Sequence, residues 1–243
     1  MPVERLLPDA DARQFVALVA QFARERLAPV AARMEEDEEF PRELLRELGR
    51  LGLFAMPYSE ELGGLGQPSE VFLQALEEAA TAWMIVGLGA SVHVMTCYPI
   101  ATWGTSEQQA QLPDLLGGEL LGAFAMSEPQ AGSDMEAIAT KALRDGADYL
   151  ITGEKAWISH GGQADYYLTF ARTSPGPAGL SCFFVPADAP GLEVGPPERK
   201  MGMWASPTTP LHYDRVRVPA DSRIGAEGQG SVIAQGALAG GRL

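Results

Sequence analysis

Two short segments carry residue types from which a ligand site could be built. The first is Ala125-Met126-Ser127-Glu128-Pro129-Gln130-Ala131-Gly132-Ser133-Asp134. It follows the apolar run Leu120-Leu121-Gly122-Ala123-Phe124, which reads as a strand. Ser127 and Ser133 offer hydroxyls, and Gly132 is a residue that lets backbone approach something closely. Glu128-Pro129 directs the chain outward from the strand. The second segment, Lys155-Ala156-Trp157-Ile158-Ser159-His160-Gly161-Gly162, repeats that chemistry with an aromatic plate added. Each has a plainer reading when taken alone. The first could be a polar strand exit whose Ser and Asp satisfy local backbone groups. The second could be a core Trp that ends in a hairpin turn. Their occurrence together in one run of strands favours a ligand that is flat, with hydrogen-bonding edges.

The elements that must position these segments are legible in outline. From Asp11 to Met34, Phe15, Leu18, Val19, Phe22 and Leu27 recur at three- and four-residue spacings, which predicts one apolar stripe on a long helix. Pro41 opens a second helix that carries Leu44, Leu45, Leu48 and Leu51. Gly63 to Pro68 is a loop by composition. Apolar segments follow at about Ser69–Val86 and Ser91–Trp103, and Thr105-Ser106-Glu107 has the form of a capped helix start. Near Glu119 the pattern changes to short β-type runs between turn signals such as Asp145-Gly146, Gly161-Gly162 and Pro190-Gly191. The clearest strands are Tyr166–Phe170, Ser181–Val185 and Leu211–Val218, and the stretch from Gly228 turns helical again. The expected fold is α+β and multidomain. A helical domain (1–118) precedes a small β-barrel or sandwich (119–223), and 224–243 starts a further helical domain.

Composition narrows the function classes. Net charge is −14, which argues against nucleic acid or an anionic membrane as the main partner. The apolar fraction is 46% and the charged fraction 21%, ordinary for a folded globular chain. No run of about 18 apolar residues is visible and the N-terminus has no secretory pattern, so the expectation is a cytoplasmic protein without a membrane span. Cys97 and Cys182 are far apart and read as two buried thiols, and with three histidines no metal site is expected.

The two segments resemble the flavin-contacting segments of the acyl-CoA dehydrogenase family. The resemblance extends along the chain, through Leu62–Gly66, Gly104–Gln109, Lys200-Met201-Gly202-Met203, Val216–Pro219 and Gly225–Gly230. It implies an FAD cofactor, contacted by Phe124, Ala125, Met126 and Ser127 and by Trp157, Ile158 and Ser159. By the same likeness Trp157 lies against the flavin, and the Ser159 hydroxyl, where Thr is more usual, faces N5. Ser133 and Arg242 are implied substrate contacts. The implied reaction is α,β-dehydrogenation of an acyl-CoA to the 2-enoyl-CoA. Electrons pass to an electron-transfer flavoprotein, and the complete enzyme is a homotetramer or homodimer.

Departures from the family pattern matter. His160 stands where Asn is common, Ala239 where many members carry an acid, and Trp204 where Arg is frequent. The family's general base lies in a C-terminal helical bundle, or in a minority just before the arginine matched by Arg242, where this chain has Gly241. No catalytic residue is therefore assigned. Glu128 reads as structural. The expectation is a truncated enzyme, inactive by itself. A related flavin oxidase or monooxygenase and a non-catalytic binding module are the alternatives.

Overall fold

The computed structural model describes residues 7–241 and divides into two compact units. Among the described residues the first comprises 7–91, 112–119 and 201–206; the second comprises 92–111, 120–200 and 207–241.

The first unit is helical. Helix α1 (Ala10–Phe22) starts at Asp9, whose carboxylate accepts from the Ala12 N–H at 2.8 Å. It runs without a break into a π-helical turn (Ala23–Leu27) and then α2 (Ala28–Glu36). The π turn lies just ahead of Pro29, which has no N–H to give and whose ring crowds the preceding turn; widening that turn lets the helix continue. The buried stripe differs from the expected one. Ala12, Val16, Val19, Ala23 and Leu27 face inward, while Phe15 and Phe22 are half-buried and Leu18 is exposed. This inward face packs against α4 (Ser69–Ala82). Helix α3 (Arg42–Arg50) begins after Pro41 and buries Leu44, Leu45 and Leu48 as expected.

The expected boundary between the next two apolar segments is corrected. Trp83 is extended (φ −158°) and its indole N–H donates to Glu35 at 3.0 Å, so α4 ends at Ala82 and α5 (Met84–Trp103) begins directly after it. Helix α5 also bears on the expectation of no membrane span. Its 20 residues carry no Asp, Glu, Lys or Arg, and a window of mean hydropathy 1.5 makes it long and apolar enough to cross a bilayer. Scattered Gly, Ser, Thr, His and Pro hide this from a search for unbroken apolar runs. Two-thirds of that window (67%) is buried within the protein, as in a core helix.

The second unit holds the far end of α5, α6 (Ser106–Gln109) and the β-structure. Thr105 and Gln108 close a reciprocal capping box on α6. A second short helix, α7 (Leu112–Leu116), belongs to the first unit. The eight strands are β1 (Gly122–Ala125), β2 (Lys141–Asp145), β3 (Asp148–Ser159), β4 (Tyr166–Arg172), β5 (Leu180–Pro186), β6 (Leu192–Val194), β7 (Thr208–Pro219) and β8 (Arg223–Ile224). Their order is β6-β7-β3-β2-β4-β5-β8, with β1 lying parallel to β4. Inward residues of alternating strands, among them Tyr149, Ile151, Tyr167, Phe183 and Val216, form the core. Helix α8 (Gly230–Gly241) follows β8. A helical domain, a β domain and a further helix match the expected fold class.

Candidate functional site

Strand β1 is fixed at Gly122. Its N–H donates to His93 Nδ1 at 3.0 Å, and its carbonyl accepts from His160 Nδ1 at 2.9 Å. A Cβ at this position would collide with the hydroxyls of Thr96 and Tyr166, so glycine is required by space. Thr96 and Tyr166 are themselves hydrogen-bonded at 2.8 Å, and His93, Thr96, His160 and Tyr166 are all buried. This polar cluster seats the strand at a defined depth.

At the other end of β1 the Ser127 carbonyl accepts from the Ala156 N–H at 2.9 Å. Gly122 thus sits beside His160 and Ser127 beside Ala156. Phe124–Met126 therefore run antiparallel alongside Trp157–Ser159, and the two segments predicted to share a site are brought together. Ala123, Ala125 and Ile158 point into the β core. Phe124 and Met126 alternate away from it, as do Trp157 and Ser159. Any contact that Ala125 or Ile158 makes with a ligand on this side is therefore through backbone.

Trp157 is the most unusual residue of this face. It lies within the register shift between Lys155 and Ile158, where β3 bulges against β7. Its φ is +59°, in the left-handed region that a bulky side chain rarely enters. Its indole is 54% exposed although the neighbouring Ala156 and Ile158 are buried. Bulges re-aim side chains, and strain of this kind is stored where a side chain must be presented outward. The hydroxyls of Ser127 and Ser159 are half-buried and have no hydrogen-bond partner among the described residues. Phe124 packs on Phe170 with ring centroids 5.0 Å apart. His160, also at positive φ (65°), is buried beneath the face and contributes through Gly122.

A buried ion pair joins the two segments. Lys155 Nζ lies 2.8 Å from Glu128 Oε1, and both side chains are almost wholly buried. The ammonium also donates to the Met126 carbonyl at 3.0 Å. Glu128 accepts further bonds from Gln130 Nε2 (2.6 Å), the Ala139 N–H (2.7 Å) and the Thr140 N–H (3.0 Å). Burial pushes the Lys155 ammonium down to about 8, against the opposing pull of the Glu128 charge. Burial acts to raise Glu128, but the Lys155 charge and the bonds from Lys155, Thr140 and Ala139 outweigh it and hold the carboxyl below its usual range.

Glu128 and Arg172 together define the loop that follows β1. Glu128 and Ala131 form an isolated bridge, and the Glu128 carboxylate holds Ala139 and Thr140 at the loop's far end. The Arg172 guanidinium donates to the carbonyls of Glu136 (2.8 Å), Ile138 (2.9 Å) and Gly176 (2.6 Å). Ser133 is exposed on this loop, and Asp134 caps the single turn Met135–Ala137 through a bond from the Glu136 N–H at 3.0 Å. Gly132 has no left-handed φ, and a Cβ there would meet nothing within 4 Å, so packing inside the chain does not require glycine there. Arg242, the other expected substrate contact, lies outside the described residues.

Sequence reasoning missed His93, Lys155 and Arg172 as organisers of the site. A signal existed for Lys155. Period-two alternation from Tyr149 through Ile151 places position 155 on the inward face, where a lysine needs a partner. The two cysteines are buried thiols as expected; burial raises Cys97 to about 12 and Cys182 well above its usual value, so neither is a nucleophile. Among the described residues no group of three His, Cys, Asp or Glu could hold a metal ion.

The chain thus combines a helical unit with a β unit that presents an outward-facing aromatic and hydroxyl surface on β1 and β3. The chain belongs to the acyl-CoA dehydrogenase family: residues 9–119 match the model of the family's N-terminal domain and residues 123–216 that of its middle domain. An acyl-CoA dehydrogenase of Bacillus subtilis (strain 168) is 40% identical over 230 residues, covering 93% of this chain and 61% of that protein. The structure of butyryl-CoA dehydrogenase from Megasphaera elsdenii superposes with a TM-score of 0.92 at 33% identity, covering 100% of this chain and 64% of that one. A chain solved in work on the electron transferring flavoprotein of Acidaminococcus fermentans matches with the same TM-score of 0.92, 33% identity and coverage of 100% and 64%. The chain therefore spans somewhat under two-thirds of the length of these relatives.

Proposed function

We propose that the face formed by Phe124, Met126, Ser127, Trp157 and Ser159 holds the isoalloxazine of FAD, in an enzyme that oxidises an acyl-CoA to the 2-enoyl-CoA. One observation carries the reading most directly: an exposed indole at a strained φ of +59°, beside two hydroxyls with no partner among the described residues. An aromatic plate with hydroxyls at its side fits a ring system that is flat, apolar on its faces and polar at its edges. A bound FAD would supply the acceptor for the hydride leaving the substrate.

In this reading Trp157 holds the ring's face through stacking area. Ser127 and Ser159 bond its polar edge, and Phe124 and Met126 exclude water from it. Backbone groups of Ala125 and Ile158 complete the contact. Ser133 and Arg242 serve the acyl-CoA. No general base is assigned within the described residues: Glu128 is committed to Lys155 and three other donors, and Asp134 to its turn. The partner suggested by the relatives is an electron-transfer flavoprotein, with a cytoplasmic homo-oligomer as the working form.

The test is direct. The full-length enzyme is dialysed against FAD, and bound flavin absorbance is recorded before and after anaerobic addition of an acyl-CoA series. Flavin that is retained and bleached by an acyl-CoA supports the proposal. Protein that takes up no flavin refutes it. Flavin that is bound but bleached by no acyl-CoA removes the substrate assignment.

A further inference from the structure

The Glu128 carboxylate stands at a junction that neither hydrogen bonding nor burial requires for a simple strand exit. On one side it meets Lys155, whose ammonium also binds the Met126 carbonyl, and Ala156 next to Lys155 binds Ser127. On the other side it holds the Ala139 and Thr140 amides, the closing residues of the loop that carries Ser133. Buried charges that are fully satisfied rigidify what they join, because any displacement strands a charge in a medium that solvates it poorly. The same carboxylate therefore restrains both segments. Arg172 restrains only one of them, through the Glu136 and Ile138 carbonyls.

We propose that Glu128 is the positioning residue of this site: with Lys155 it locks the flavin-facing segment and the Ser133 loop into one arrangement, so that cofactor and acyl-CoA are held in mutual register. The proposal rests on the flavin reading above. Glu128 acts directly on the Ala139 and Thr140 amides and, through Lys155, on the Met126 carbonyl, rather than on either ligand. Small displacements of groups that orient a reacting pair are costly in rate, of order a hundredfold for about 1 Å.

Two variants and one control test this, with amide hydrogen exchange as a readout independent of activity. In Glu128→Gln the amides of Ala139, Thr140 and Ala156 exchange about tenfold faster or more; the FAD-loaded full-length enzyme shows a shifted flavin absorption band, and its kcat falls roughly ten- to hundredfold. Lys155→Arg keeps a cation but changes its shape, and Lys155 does not itself bond the Ala139 or Thr140 amides. Faster exchange at Ala139 and Thr140 in this variant is therefore transmitted through Glu128. Arg172→Gln, the control, loosens the loop and raises KM while leaving the flavin band unchanged. Each variant is compared at the same interval below its own melting temperature. The proposal is overturned if Glu128→Gln leaves the exchange unchanged, or speeds it with the flavin band and kcat unaltered. It is also overturned if Lys155→Arg disturbs Ala156 alone. Wild-type protein that binds no flavin refutes the flavin reading instead, a result distinct from any variant outcome.

Discussion

Replacing Lys155 with methionine keeps the length and most of the volume of the side chain but removes its charge. The partner carboxylate is 2% exposed and would lose its 2.8 Å ion pair while remaining in place. Breaking a buried pair from one side costs about 3–5 kcal/mol, because the remaining charge is desolvated without compensation. Glu128 would keep three donors, Gln130 Nε2, Ala139 N–H and Thr140 N–H, which places the cost near the lower end, about 3 kcal/mol. For a protein of this size that is a fall in Tm of roughly 6–12 °C. The pH dependence is the sharper test. In the wild type Glu128 is held below the usual carboxylate range, so its contribution to stability is present above its unfolded value and is lost as the pH falls through its folded value. In Lys155→Met, burial acts with the lysine's opposing charge removed, and the folded carboxyl rises above its unfolded value. The native state then takes up the proton first, and the deficit relative to wild type shrinks as the pH is lowered. Urea denaturation of both proteins at pH 7 and at pH 5 measures this. A deficit under about 1 kcal/mol at pH 7, or one that does not change between the two conditions, refutes the reasoning.

Further outcomes follow from single residues. Trp157→Ala reduces FAD retention through lost stacking area, whereas Ser159→Ala slows anaerobic flavin reduction more than it weakens binding; equal flavin content and equal rates in both variants would remove these residues from the site. Thr209 Oγ1 is buried with no hydrogen-bond partner among the described residues, so Thr209→Val raises stability by about 1 kcal/mol, read from the urea midpoint. A loss instead means that the hydroxyl has a water or ligand partner. Thr105→Ala breaks the capping box with Gln108 and costs about 1 kcal/mol in the same assay.

The sequence spoke clearly wherever a local rule was enough. Pro41, Thr105 and the turn signals mark real element ends, and the strands around Tyr166, Ser181 and Leu211 fall where period and residue type put them. It spoke less clearly where packing chose between candidates of equal hydrophobicity. Along α1 and the π turn Ala12, Val16, Val19, Ala23 and Leu27 face inward while Phe15 and Phe22 are only half-buried, a choice made by packing against α4. The boundary at Trp83 depends on a bond to Glu35, far away in the chain, and no local pattern announces it.

The candidate site divides along the same line. The residues proposed to line it could be named from type, an aromatic plate between hydroxyls and a double glycine, and from the family resemblance. What holds them could not be, because the main restraints on them are long-range. Gly122 depends on His93 and His160, the Ser133 loop on Arg172, and the join between the two segments on Glu128 and Lys155. The left-handed φ of Trp157 arises from a register shift between β3 and β7, and a register is a property of a strand pair. Residue type can therefore name the groups that meet a ligand while leaving open the depth and angle at which they are held. Here those are set by buried charge and by the bulge, so substitutions at Glu128 or Lys155 are expected to alter the site as much as changes to the residues that line it.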